Sequence, residues 1–257
     1  MQQIVLFCSK NAGAIRVGAD MKKDLTAKKC ITVGARIGRP ARISLEEIAR
    51  ITLKIGLDDV TMIAVGQALG VDHSSLYRYV KGRKDLLLAA ADLAIAELDW
   101  RGNPANWHEF AQNVANSSWE LFDRYPGLAD AMRELEVSPP SGIRAFGEIA
   151  NRFVEYGFSA EEAVVVLDSI FDMTMDCFTG WRRAYKPARI GDNSIEKVVK
   201  SWEAEAARNP DTARPILIMS RMMTDPPKEW WNRKLHLILE GAEAVFNKRQ
   251  LIYEAAE

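Results

Sequence analysis

From position 44 onward, apolar residues recur at intervals of three and four almost to the end of the chain, and no strand-type alternation of any length interrupts them. Leu45, Ile48, Ala49, Thr52 and Ile55 share one helical face, opened by Ser44 with Glu47 three residues on as a capping box and closed by Gly56. Thr61 is placed to cap a short second helix over 62–69, and Gly70 ends it, because glycine takes the left-handed conformation without a Cβ penalty. Asp72 caps a third helix, with Val71 before it and Leu76 four residues after it set as a hydrophobic staple. A fourth opens at Lys81-Gly82-Arg83-Lys84 and runs to about Leu98. Beyond it, Trp107, Phe110, Val114, Trp119, Leu121 and Phe122 predict an amphipathic helix stopping at Tyr125-Pro126, and the span 160–185 is apolar on nearly every face. The pattern predicts an all-α protein: a three-helix helix-turn-helix unit followed by a larger helical bundle.

Composition narrows the class. At 257 residues, 48% hydrophobic and 27% charged, the chain reads as one large or two modest soluble domains, not a collagenous or disordered one. Three cysteines (Cys8, Cys30, Cys177) without a CxxC argue against a disulfide framework and a zinc site. No run of ~18 apolar residues predicts a membrane span, and Ile4–Phe7 is too short for a signal-peptide core, so a cytoplasmic protein is expected. The net charge of −1 hides a polarity: through Lys84 there are 15 Lys and Arg against 7 Asp and Glu, and from Asp85 onward 19 against 28. A basic front on an acidic body points to an anion-binding module at one end. Residues 1–37 lack periodicity and read as a flexible basic arm, with Met21 an internal candidate start.

The basic front carries chemistry suited to DNA. Two short helices joined by Leu69-Gly70-Val71-Asp72 have the geometry that lays the second in a major groove. His73, Ser74 and Ser75 occupy the first turn of that helix, where base edges are met. Tyr77, Arg78 and Tyr79 carry long polar tips, while Leu76 and Val80 point to a core. Arg83 and Lys84 at the start of the fourth helix are expected to clamp phosphate, joined by Arg36, Arg39 and Arg42 upstream. The same spacing also occurs in purely structural helical hairpins.

Gly38-Arg39-Pro40-Ala41-Arg42-Ile43-Ser44, then Thr61-Met62, then Leu69 through Val80 with its Leu-Tyr-Arg-Tyr centre, then Lys84-Asp85-Leu86-Leu87, resembles the tetracycline-repressor (TetR) family over about residues 38–98. The resemblance implies an all-helical homodimeric transcriptional regulator with an N-terminal DNA-binding domain and a C-terminal domain that binds a small effector and dimerises. It places the recognition helix at His73 to Tyr79, makes Tyr77 a phosphate contact, and puts Arg83 where a Lys commonly meets the backbone. Departures are Ile63, where many members carry a base-reading Arg or Lys, Gly66 in a usually Ala place, and Tyr79 for His. Thr61 and Ile63 join the expected DNA-contact set.

Within the acidic body, Trp231, Leu235, Ile238, Ala242 and Val245 make a continuous stripe on the last helix. With Phe178 and Trp181 they are the expected dimer interface. The alternative is that they fill a single chain's core. Trp119, Phe122, Met132, Phe153, Phe171, Asp172 and Met175 are the candidates for an adaptable effector pocket, again with plain core as the alternative. Asp168, Asp172 and Asp176 form a ladder at spacings of four, read first as a solvated face answered by Arg182 and Arg183. A pocket wall for a cationic effector and a metal site are the other two readings. No GxGxxG, GxxxxGK, GxSxG or HExxH occurs and the histidines are only 73, 108 and 236, so no enzyme, cofactor or metal is expected. The expected organisation is an arm over 1–37, a DNA-binding domain over 38–84 and an effector-binding and dimerisation domain over 85–257. The expected partners are double-stranded DNA, a small-molecule effector and a second copy of the chain, with no membrane. The rival function is a helical architectural DNA-binding protein without an effector.

Overall fold

The computed structural model describes residues 43–100, 102, 104–185 and 194–254. The expected arm over 1–37, and Arg36, Arg39 and Arg42, lie outside them. Among the described residues the protein is all-α, as the periodicity predicts.

Helix α1 (Leu45–Ile55) starts with the predicted capping box: Ser44 N–H donates to Glu47 Oε2 at 2.8 Å, and Glu47 N–H donates back to Ser44 Oγ at 3.1 Å. Its inward face is Ile48, Ala49 and Thr52, the last satisfied by donating its hydroxyl to the Ile48 carbonyl at 2.8 Å. Helix α2 (Met62–Leu69) is capped by Thr61 and ends at Gly70, which is left-handed at φ 67°. The next segment, His73–Arg78, is wound as a six-residue 3-10 helix. Asp72 drives the tight winding: its carboxylate accepts from Ser74 N–H at 2.8 Å and its carbonyl from Ser75 N–H at 2.9 Å. Leu57, Val60, Val65, Leu76 and Val80 form the small core under these three segments.

Helix α3 (Arg83–Ala96) packs on α1 through Leu86, Leu87, Ala90, Ala91 and Ala94, all buried, and continues against the later α5 and α6. It therefore belongs both to the front unit and to the body. The body comprises α4 (Trp107–Arg124), α5 (Leu128–Glu134), α6 (Pro140–Glu155), α7 (Ala160–Tyr185), α8 (Ser194–Arg208), α9 (Ala213–Met222) and α10 (Pro227–Glu254). Helix α7 packs against α4, α5, α6, α8 and α10, which explains its apolar residues on most faces. Helices α8 and α9 pack mainly on each other.

The last helix corrects an expectation. Trp231, Leu235 and Ala242, read as dimer-interface residues, are buried inside their own chain. Trp231 lies against Trp119 (centroids 5.0 Å apart) and its indole N–H donates to Thr174 Oγ1 at 2.9 Å, satisfying both polar groups in the core. The inward stripe of α10 is held by α7 and α4. Among the residues that α10 leaves exposed are Leu237, Gly241 and Val245, four residues apart on another face.

Candidate nucleic-acid interface

The 3-10 helix presents the predicted alternation. Leu76 is fully buried and Val80 nearly so, while His73, Ser74, Tyr77 and Arg78 are exposed. Ser75 and Tyr79 are half-buried, and the Arg78 guanidinium lies 5.8 Å from the Tyr79 ring centroid. His73 and Tyr77 meet edge to face at 6.4 Å. Tyr77 and Ile63 are each just over half exposed, at 54% and 55%. Thr61 at the start of α2 is exposed too. A tyrosine hydroxyl and a guanidinium suit phosphate, serine and histidine edges suit bases, and an exposed isoleucine suits a thymine methyl. Hydrogen bonds from Ser74 hold the Asp72 carboxyl below the usual carboxylate range, so the cap stays charged.

Gly66 has a structural reason that the sequence concealed. A Cβ there would lie 3.0 Å from His73 Cα and 3.1 Å from both His73 N and the Val71 carbonyl oxygen. The start of the reading helix rests directly on α2, and glycine admits that approach without either backbone having to give way. Its presence sets how the two helices meet.

The expected phosphate clamp is engaged otherwise. Arg83 turns into the protein: Nη1 donates to Glu134 Oε2 at 2.9 Å, and Nη2 to the carbonyls of Leu57 at 2.9 Å and Asp58 at 3.0 Å. The α1–α2 loop exposes those carbonyls, and a guanidinium fork satisfies both, so Arg83 is a strap and not an open clamp. Lys84 pairs with Glu136, an exposed contact that holds the Glu136 carboxyl below its ordinary range. A second strap comes from α7. Arg182, only 19% exposed, bonds Asp58 in the same loop and Asp130 of α5 (3.0 Å), while Arg183 reaches Asp130 at 3.2 Å. Burial works against the Arg182 charge, but its two carboxylates outweigh that and raise its pKa. Arg182 and Arg183 are thus spent on the loop and α5 and do not answer the acidic ladder. Arg133 does, reaching Asp176 at 3.1 Å. Burial, then the neighbouring Asp168, pushes the Asp172 carboxyl up.

The expected effector pocket divides. Trp119, Phe122 and Phe153 are buried and packed against Phe178 and Phe110, at 5.2 to 5.8 Å between ring centres. They are core because α4, α6, α7 and α10 close over them. Met132, Phe171, Asp172 and Met175 are half-buried. None of the seven lines either of two open cavities along α6, of about 440 and 510 Å³, which share Trp100 and Glu148 as walls. Two of them pack on cavity walls: Phe171 edge-on to Trp100 with centres 6.2 Å apart, and Phe153 against Phe110 at 5.3 Å. Sequence reasoning missed Trp100 because it lies just past the last periodic residue of α3. Among the described residues, no group of three or more His, Cys, Asp or Glu is placed to hold a metal, and no helix is long and apolar enough to cross a membrane.

Comparison with known proteins agrees with this architecture. No protein-family model matches the chain. The tetracycline repressor protein class E of Escherichia coli is 25% identical over 142 residues, covering 52% of this chain and 67% of that protein. An HTH-type transcriptional repressor of Mycobacterium tuberculosis is 27% identical over 125 residues, covering 46% of this chain and 48% of that protein. The chain thus spans about half to two thirds of the curated relatives it matches. In fold, the Streptomyces coelicolor TetR family protein ActR, solved in complex with actinorhodin, superposes with a TM-score of 0.65 at 19% identity, covering 79% of this chain and 98% of that one. The expected resemblance holds: the chain is TetR-like in sequence over about half its length and has the TetR fold.

Proposed function

We propose that this TetR-like chain is a ligand-responsive transcriptional regulator that binds a two-fold-symmetric DNA site as a homodimer and releases it when an effector binds. The observation that carries the reading is the reading helix itself: Leu76 and Val80 anchor it while His73, Ser74, Tyr77 and Arg78 face outward. Thr61, Ile63, Ser75, Tyr79 and Lys84 complete the proposed DNA face. Arg83 is assigned to the strap instead. Relatives of this chain are transcriptional repressors, and a fold neighbour was solved with a small molecule bound.

The dimer contact is assigned to the outward faces of α10 and α7. On α10, Leu237 is 72% exposed and Val245 44%, each one turn from the small Gly241. Ile238, Phe178 and Trp181 are half-buried and flank the same two helices. Exposed apolar surface on this scale suits an isologous contact. A dimer of this kind holds its two reading helices about one DNA turn apart, ~34–36 Å. The effector favours a conformer with a different spacing, and operator affinity falls by the ligand's differential affinity for the two states. The test is selective binding of purified protein to genomic fragments. A specificity ratio of at least ~10³ over random duplex supports the regulator, and uniform binding to every duplex overturns it.

A further inference from the structure

We infer that the α8–α9 hairpin is a clasp between two copies of the chain: α9 of each copy docks on the N-terminal half of α7 of the other. This rests on the dimer reading above. Two exposed helix faces carry one pattern with opposite charge. On α7 it is Glu161, Val164, Val165 and Asp168, and on α9 it is Arg214, Leu217, Ile218 and Arg221. Both sets fall at i, i+3, i+4 and i+7, so each is one continuous face two turns long, with an apolar pair between two like charges. All eight side chains are exposed, Val165 most among the apolar ones at 63%.

Charge commits these faces to each other. Among the described residues, none of Glu161, Asp168, Arg214 and Arg221 makes an ion pair, whereas Glu162, the neighbour of Glu161 in sequence, is paired with Arg249 at 2.7 Å. An apolar centre between charged flanks is the layout of a protein interface. Here one face has acidic flanks and the other basic ones, at equal spacing, so docking the two brings Val164 and Val165 against Leu217 and Ile218 and sets each carboxylate opposite a guanidinium. A second copy supplies both faces at once, which a two-fold contact requires.

Placement within the fold suits the same contact. Helix α7 has 26 residues and is about 39 Å long. Its first turns carry the acidic face, and the end of α9 is tied to its other end, where Tyr185 Oη donates to the Met223 carbonyl at 3.4 Å. Helix α9 otherwise packs mainly on α8. A two-fold axis crossing α7 near its middle runs the two copies of α7 antiparallel and sets each α9 beside the other copy's acidic face. The dimer is then clasped at both ends of α7, in continuity with the contact assigned to α7 and α10.

Charge reversal with rescue tests the inference, read as the dimer dissociation constant of the full chain by analytical ultracentrifugation. Arg214→Glu with Arg221→Glu, or Glu161→Arg with Asp168→Arg, is expected to weaken the dimer at least about tenfold, since each clasp occurs twice per dimer and attraction becomes repulsion. All four positions are exposed, so the reversed chains fold. The chain carrying all four substitutions restores opposite charges across the contact and is expected to return to within about threefold of the unaltered dimer. Reversals without effect, or losses that add in the four-fold variant, overturn the inference and give the two faces to other partners. Leu237→Glu keeps the two readings apart. A dimer that Leu237→Glu breaks but the reversals leave intact upholds the α10 contact and defeats the clasp alone. Charge rescue in a dimer indifferent to Leu237→Glu upholds the clasp and moves the main contact off α10. A chain that is monomeric before any substitution defeats both.

Discussion

The reading helix and the aromatic stripe of the body use similar residue types to opposite ends. In His73–Arg78 the aromatic and polar tips point outward and two aliphatic anchors hold the segment down. In the body, Trp119, Phe122, Phe153 and Trp231 all turn inward and are nearly or wholly buried. The front unit has a small core of its own, so its position depends on outside fixtures: the Gly66 contact beneath it and the Arg83 and Arg182 straps on the α1–α2 loop. The body is held mainly by the apolar area it buries within itself. Substitutions in the body should therefore act on stability, and those in the front on DNA binding at modest cost to the fold.

The largest effect expected is on the body. Trp231→Ala removes a fully buried indole and strands the Thr174 hydroxyl, for a loss of ~3–5 kcal/mol. Leu235→Glu should behave alike, unfolding the chain instead of yielding folded monomers. Chemical denaturation with sizing chromatography decides it, and a stable, folded monomer would return these residues to the interface.

Next comes Gly66→Ala. The added methyl meets the His73 backbone at 3.0 Å, so the reading helix must shift or the fold lose ~1–3 kcal/mol. Operator affinity is expected to fall together with thermal stability. Unchanged affinity would show that the contact does not set the reading geometry.

Arg182→Ala removes the guanidinium that joins Asp58 to Asp130 at a largely buried position, and a loss of about 1–2 kcal/mol is expected, between exposed and buried pairs. Hydrogen exchange at Leu57 to Val60 should accelerate more than exchange in α4. A uniform change would deny the strap its local role.

Smaller and more specific are the tips. Tyr77→Phe should weaken binding to all duplexes alike, whereas Ser74→Ala should alter preference at particular bases by about 1–3 kcal/mol without changing stability. Equal effects on every sequence would erase the distinction between positioning and reading.

The smallest is Asp172→Asn. The folded chain holds the Asp172 proton more tightly than the unfolded chain does, so the charged carboxylate is penalised in the fold above that raised pKa and neither state is penalised once both are protonated. The variant should gain ~0.5 kcal/mol at neutral pH, about 1–2 °C, with the gain fading as pH falls through the carboxylate range. A gain that persists in acid would point to packing instead.

By itself the sequence determined the helices, their caps and the face each turns inward at the front. Ser44, Thr61, Gly70 and Asp72 act through bonds to residues two to four positions away, so their roles survive without knowledge of the rest of the chain. The 26-residue span Ala160–Tyr185 was equally legible, since its periodicity is internal. Only the tertiary structure decided which long side chains meet across the chain. Arg83 finds Leu57, Asp58 and Glu134, and Arg182 finds an aspartate 124 residues away. The same holds for the apolar stripes. A stripe states that one face of a helix must leave water, but whether its cover is α7, a ligand or a second copy depends on how the helices pack, because burial is non-directional and rewards any apolar partner equally.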